Sequence, residues 1–142
     1  MTNGSLAQAY LQKAAARIDI LELLCRKQAW SDVVREAQEI VELALKGMLR
    51  YVGVEPPKWH DVGGILVEHG DRFPGETKES LSRMADISKR LRKERELSFY
   101  GDIDFIPTEE YSEELARGFA SEATFIVNRA TVLMERENTT PC

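Results

Sequence analysis

Histidine is scarce in this sequence, with only His60 and His69, and cysteine is as scarce, with only Cys25 and Cys142. Neither histidine has a Cys, His or carboxylate neighbour at the spacing of a zinc site, so no structural metal is expected and no cofactor motif is visible. One cysteine on an apolar helical face and one in a polar tail make no disulfide framework. No apolar run approaches the roughly 18 residues that a membrane span needs. The opening Met1-Thr2-Asn3-Gly4-Ser5 has neither the charged nor the apolar region of a secretion signal, which leads to the expectation of a cytoplasmic chain. A basic excess is missing too. The net charge of -5 argues against a general nucleic-acid-binding protein, so any RNA contact has to be local.

What is present reads as one globular domain spanning residues 1–142, with frayed ends at 1–5 and 138–142. The chain has 142 residues, 43% of them hydrophobic and 30% charged, the balance of a packed soluble fold rather than a disordered one. Leu6, Tyr10, Ala14, Ile18, Leu21, Leu24 and Cys25 recur at three-to-four spacing and predict a long amphipathic helix. Ser31 as N-cap and Asp32 as first-turn acid open a second, carrying Val33, Ala37, Ile40, Val41, Ala44, Leu45, Met48, Leu49 and Val52. Gly53 suits the left-handed position that ends it, and Pro56-Pro57 cannot continue it.

After Asp61, the residues Ile65, Leu66 and His69 predict a short helix ending at Gly70, and Phe73-Pro74-Gly75 reads as a loop. Thr77 is the expected cap of a helix whose apolar positions are Leu81, Met84, Ile87 and Leu91. Gly101 to Pro107 break that pattern, with Phe105 and Ile106 expected to pin the loop to the body. Thr108, followed by Glu109 and Glu110, is the expected start of a last helix burying Leu115, Phe119, Ala123, Ile126, Val127, Ala130 and Leu133. Four long helices and a short one, with no run of alternating β-branched residues, predict an all-α up-and-down bundle.

Chemistry concentrates where the fourth long-range pattern ends, at Leu91-Arg92-Lys93-Glu94-Arg95-Glu96-Leu97-Ser98-Phe99-Tyr100-Gly101-Asp102. Arg92 and Arg95 are three apart and share a helix face. Arg95 sits about 40° round the axis from Leu91, close to the buried seam, where packing can hold it against an anion. Residues 83 to 95 hold six basic residues against two acids, while 109 to 122 hold five acids against one base. The bland alternative is therefore a solvated basic face, or ion pairing with the last helix within one molecule or across a dimer. His60-Asp61 reads as a capping arrangement, with general acid-base work by His60 as the alternative. Lys46 and Lys58 look like ordinary surface lysines.

The stretch from Ala37 to Leu49, followed by Pro56-Pro57-Lys58-Trp59-His60-Asp61-Val62, resembles the HEPN family, in which a helix of the form "A…AE.A.KALL" leads through a "P..HD" loop into the third helix. The arginine-rich helix running into an aromatic-Gly turn lies where these domains carry their functional motif, and the resemblance extends from about Leu6 to Met134. It implies a helical bundle, commonly homodimeric, of the kind found in toxin-antitoxin pairs, beside minimal nucleotidyltransferases and in RNA-processing systems. Many such proteins are metal-independent ribonucleases with an arginine followed, after four to six residues, by a histidine, two copies meeting across the dimer. Arg95 matches the arginine, but Tyr100 stands where the histidine would be. Imidazole titrates near neutrality and tyrosine near pH 10, so Tyr100 is a poor base for the 2′-hydroxyl proton. The expectation is a degenerate site, Arg92 and Arg95 with Tyr100, that binds nucleotide or RNA phosphate or docks a partner. An active endoribonuclease using Arg95 with Tyr100 or His60, and a helical interaction module without ligand, are the alternatives.

Overall fold

The computed structural model describes residues 3–58, 61–99 and 111–138, with side chains for 4–58, 61–94 and 111–135. Four long helices, α1 (Asn3–Arg26), α2 (Trp30–Tyr51), α5 (Leu81–Phe99) and α6 (Glu113–Asn138), are joined by α3 (Val62–Glu68), a 3-10 turn (Gly70–Arg72) and the one-turn α4 (Gly75–Lys78). No strand occurs among the described residues. The all-α bundle expected from periodicity is present, with two single turns added between α3 and α5 among the described residues.

Side-chain pairs give the directions. Arg17 meets Glu36 and Gly47 lies against Tyr10, so α1 and α2 are antiparallel; Arg90 meets Glu122 and Glu94 meets Tyr111, so α5 and α6 are too. The side chain of Met134 reaches Gly47, and Arg117 lies over Trp30, which sets α6 parallel to α2. Consecutive long helices thus alternate in direction. At the centre α2 is apolar around most of its circumference, with Val33, Val34, Ala37, Ile40, Ala44, Leu45, Met48 and Leu49 fully buried, and it contacts α1, α3, α5 and α6. A helix apolar on so many sides is stable only as the middle of a core.

Both connections out of the first two helices are closed by the same device. The Ala29 N–H donates to Leu24 O and the Gln28 N–H to Cys25 O, each at 3.0 Å. The Val54 N–H donates to Leu49 O at 2.9 Å and the Gly53 N–H to Arg50 O at 3.0 Å. This is the Schellman pattern, which needs a left-handed residue after the helix. Gly53 takes it at φ +83°, as expected from sequence, whereas α1 uses Gln28 at φ 58°.

Several local expectations shift. Ser31 is not the cap of α2: the helix starts one residue earlier, Ala29 is the N-cap without a side-chain bond, and Ser31 is buried inside the first turn. Val52 is the half-buried C-cap rather than a core residue. The most deeply buried residues of α1 are Ala7, Leu11, Ala14 and Leu21, while Ile18, Leu24 and Cys25 of the expected stripe pack partly buried against the core. Gly47 explains this, because a Cβ there would stand 3.2 Å from Tyr10 Cβ and 3.3 Å from Ala7 O, so the two backbones cross closely over small residues. Thr77 does not cap α5; it is buried within α4. The segment Gly75–Lys78, read as part of a loop and its following cap, forms a helical turn. Thr108, Phe105 and Ile106 lie outside the described residues. As described, α6 begins at Glu113, where the Ser112 hydroxyl accepts from Leu115 N–H at 3.0 Å. With that start, Leu115 is 44% exposed and Ala116 takes the buried position.

Replacing Gln28 with glycine relieves the left-handed strain and raises stability, while Gly53→Ala introduces it and costs about 1 kcal/mol. Urea melts of the two variants beside the parent show opposite shifts if both turns carry the strain assigned to them.

Candidate functional site

The site is built on α5. Leu81, Met84, Ile87 and Leu91 are buried, and this stripe leaves two polar flanks, one toward α6 and one toward α3. On the α6 flank the arginines are engaged. Arg83 lies over the Phe125 ring with its guanidinium carbon 3.8 Å from the centroid. Arg90 donates from Nη2 to Glu122 Oε2 at 2.6 Å and stands 3.7 Å from Asp86 through Nε. Stacking over a ring and charge-assisted bonding hold these cations as part of the α5/α6 seam. The acidic last helix and the basic α5 therefore pair within one molecule, at Arg90 and Glu122.

On the α3 flank the arrangement differs. Arg92 Nη1 stands 3.8 Å from Asp61 Oδ1, with the two side chains 39% and 44% exposed. This is an ion contact longer than a hydrogen bond, open to solvent and weak. The same oxygen, Asp61 Oδ1, accepts from Gly63 N–H at 3.0 Å and caps α3, as expected for this residue. Gly63 makes the approach possible, because a Cβ there would stand 2.7 Å from Ala85 Cα. Only a residue without a side chain lets α3 lie so close on α5 and bring Asp61 to Arg92. An open groove of about 530 Å³ runs along this flank past Gly64, Ser82, Asp86 and Lys89.

Of the site residues expected from sequence, Arg92 is placed on the surface between α3 and α5. Arg95 lies on α5, and its side chain is outside the described set, as are Tyr100 and His60 altogether. Asp61 was legible as a cap but not as the partner of Arg92. No local signal joins residues so far apart in sequence; only the Gly-Gly after Asp61 hints at a close helix contact. His69 forms the C-cap of α3, and Lys46 pairs with Glu42 at 3.5 Å. Among the described residues no group of three or more His, Cys, Asp or Glu is arranged to hold a metal ion, and no helix is long and apolar enough to cross a membrane.

Just before α6, Tyr111 is buried and donates its hydroxyl to Glu94 Oε2 at 2.8 Å. Burial, and then the bond to the Glu94 carboxylate, push the phenol far above the usual tyrosine value. A second surface lies between α1 and α6, an open groove of about 800 Å³ with Leu21, Cys25, Ala120 and Phe125 in its walls and Glu22, Arg26 and Arg117 beside them.

Comparison with known families agrees with this architecture. The family model described as HEPN domain matches residues 7–135, nearly the whole chain. No curated protein matches it.

Two predictions come from this geometry. Gly63→Ala forces α3 off α5 and lowers stability by about 1 to 3 kcal/mol, as overpacked contacts do. Gly64→Ala, whose Cβ would meet only Asp61 Oδ2 at 3.8 Å, is expected to be neutral or stabilising in the same melts. For Tyr111, the folded chain retains a proton that the unfolded chain releases near pH 10. Stability therefore falls as pH rises above about 10, and Tyr111→Phe flattens that fall while costing about 1 kcal/mol near neutrality. Denaturant melts of both proteins at neutral and alkaline pH measure the difference.

Proposed function

The chain belongs to the HEPN domain family, and from that premise we propose that it is a subunit that binds nucleotide or RNA phosphate at Arg92 and Arg95 and works beside a protein partner. The family as a whole is one of nucleotide- and RNA-binding or ribonuclease-like domains. The observation that carries the site assignment is the sorting of cations on α5. Arg83 and Arg90 are tied to Phe125 and Glu122, whereas among the described residues the ion contact of Arg92 is to a half-exposed carboxylate at 3.8 Å. A guanidinium is always charged and can grip a phosphate with two parallel bonds, which water and Asp61 at that distance do not match. The overall charge of -5 then makes the contact local rather than a broad basic surface.

The biological setting in this reading is a toxin-antitoxin-like pair or a minimal-nucleotidyltransferase-associated pair, with the helical chain as a homodimer. The groove between α1 and α6 supports a protein-docking role, since Ile18, Leu21 and Phe125 give it an open apolar wall. The ribonuclease reading has less support. From Glu96 to Asp102 there is no histidine, and a phenol is a poor base beside an imidazole at neutral pH.

Labelled single-stranded RNA titrated with the protein at several salt concentrations tests the site. Arg92→Ala is expected to weaken binding about tenfold and to reduce the salt slope by about 0.7, the value for one phosphate contact on a single strand. Unchanged affinity and slope overturn the assignment. The same RNA incubated in excess EDTA is expected to stay intact. Scission by the parent and not by Arg95→Ala would instead establish a metal-independent nuclease.

A further inference from the structure

We propose that Asp61 is a built-in competitor for the phosphate site: its carboxylate holds Arg92 in the ligand-free protein and is displaced from it when a phosphodiester of an RNA strand binds. The inference deepens the reading of Arg92 as a phosphate contact and rests on it.

The geometry gives Asp61 two tasks on one atom. Oδ1 accepts the Gly63 N–H at 3.0 Å and faces Arg92 Nη1 at 3.8 Å. The first contact is a true hydrogen bond and the second is not. When the guanidinium turns away, Asp61 remains anchored as the cap of α3, so the exchange does not unwind the helix. Asp61 is thus fixed and Arg92 is the movable partner, on a long side chain that is 39% exposed. Gly63 against Ala85 sets the close approach of the two helices, which brings the carboxylate to Arg92.

A carboxylate at 3.8 Å is an incomplete occupant. A phosphate group offers two oxygens to the planar guanidinium, where Asp61 offers one at the edge of contact. The groove lined by Asp61, Ser82, Arg83 and Lys89 starts at the same carboxylate and offers a strand that reaches Arg92 two further cations. Asp86 lies in this groove too, but it is 3.7 Å from Arg90, so it is a nearby negative charge with a different partner. That makes it the natural control. If Asp61 acted only through the general field, Asp86 would do the same.

The exposed pair contributes little energy, so its removal has a bounded effect. Asp61→Asn keeps a side chain that caps helices as well as aspartate does, and it removes the charge. With fluorescein-labelled oligo(U) as probe, Asp61→Asn is expected to bind about two- to fivefold more tightly than the parent. In an Arg92→Ala background the same substitution is expected to change nothing, because the competition has no object. Asp86→Asn is expected to leave affinity within twofold of the parent. Thermal melts confirm that each variant is folded.

Tighter binding by Asp61→Asn that vanishes without Arg92 supports the competitor. Unchanged or weaker binding by Asp61→Asn, while Arg92→Ala alone weakens binding, overturns it and leaves Arg92 as a phosphate contact. An equal gain from Asp61→Asn with and without Arg92, or from Asp86→Asn, reduces the effect to net charge and also overturns it. Binding indifferent to Arg92→Ala removes the site reading itself, and the competitor with it.

Discussion

Everything in this fold is arranged around the burial of α2. Its apolar residues are not one stripe but most of the helix circumference, from Val33 and Val34 to Met48 and Leu49, and no single neighbour can cover them. Hydrophobic burial scales with the area removed from water, so α1, α5 and α6 must each supply a wall. Of the polar residues that α2 carries inward, Glu36, with its side chain 8% exposed, takes Arg17 at 2.8 Å. A buried carboxylate without that partner would be costly. The Arg17 guanidinium is correspondingly held above its ordinary value by the bond and then the charge of Glu36.

From this constraint the site follows. Because α5 gives its Leu81, Met84, Ile87 and Leu91 face to α2, its charged residues are divided between two flanks. The flank toward α6 is used up in joining two helices that touch mainly through long side chains, arginine over phenylalanine and arginine to glutamate. The flank toward α3 is narrowed by Gly63 until one aspartate meets one arginine. The same basic run that looks uniform in sequence is therefore two populations, one tied into the α5/α6 seam and one facing solvent beside α3.

What sequence could and could not say divides along the same line. The α2 pattern, Gly53 and the Asp61 cap were legible because each depends on residues within a turn of one another. The face of α1 was not, because Gly47 on another helix decides how closely Ala7 and Tyr10 approach. Leu115 was placed in the core by its four-residue spacing to Phe119 and Ala123, but Ala116, three residues before Phe119, takes the buried position. The Schellman turn at Gln28 carried no glycine to announce it. Arg92 was picked out for its charge and spacing, but its partner Asp61 belongs to a different element, and only folding brings them together. Residues in contact across a fold leave no periodicity.

The division of labour on α5 also bears on how a chain of net negative charge would hold the proposed phosphate site. Long-range attraction is absent here, so affinity has to come from short contacts, and these gain most from preorganisation. Arg83 and Arg90 supply it indirectly, by fixing α5 against α6 so that Arg92 leaves the helix at a defined height beside α3. Asp61 supplies it directly, by holding the guanidinium near its working position, and by the same charge it opposes the anion that must replace it. A site with a weak internal counterion is selective for ligands that bind in two-pronged fashion, because a monodentate anion gains little over the carboxylate already present. On this argument the phosphate preference of the site resides as much in the aspartate as in the arginine.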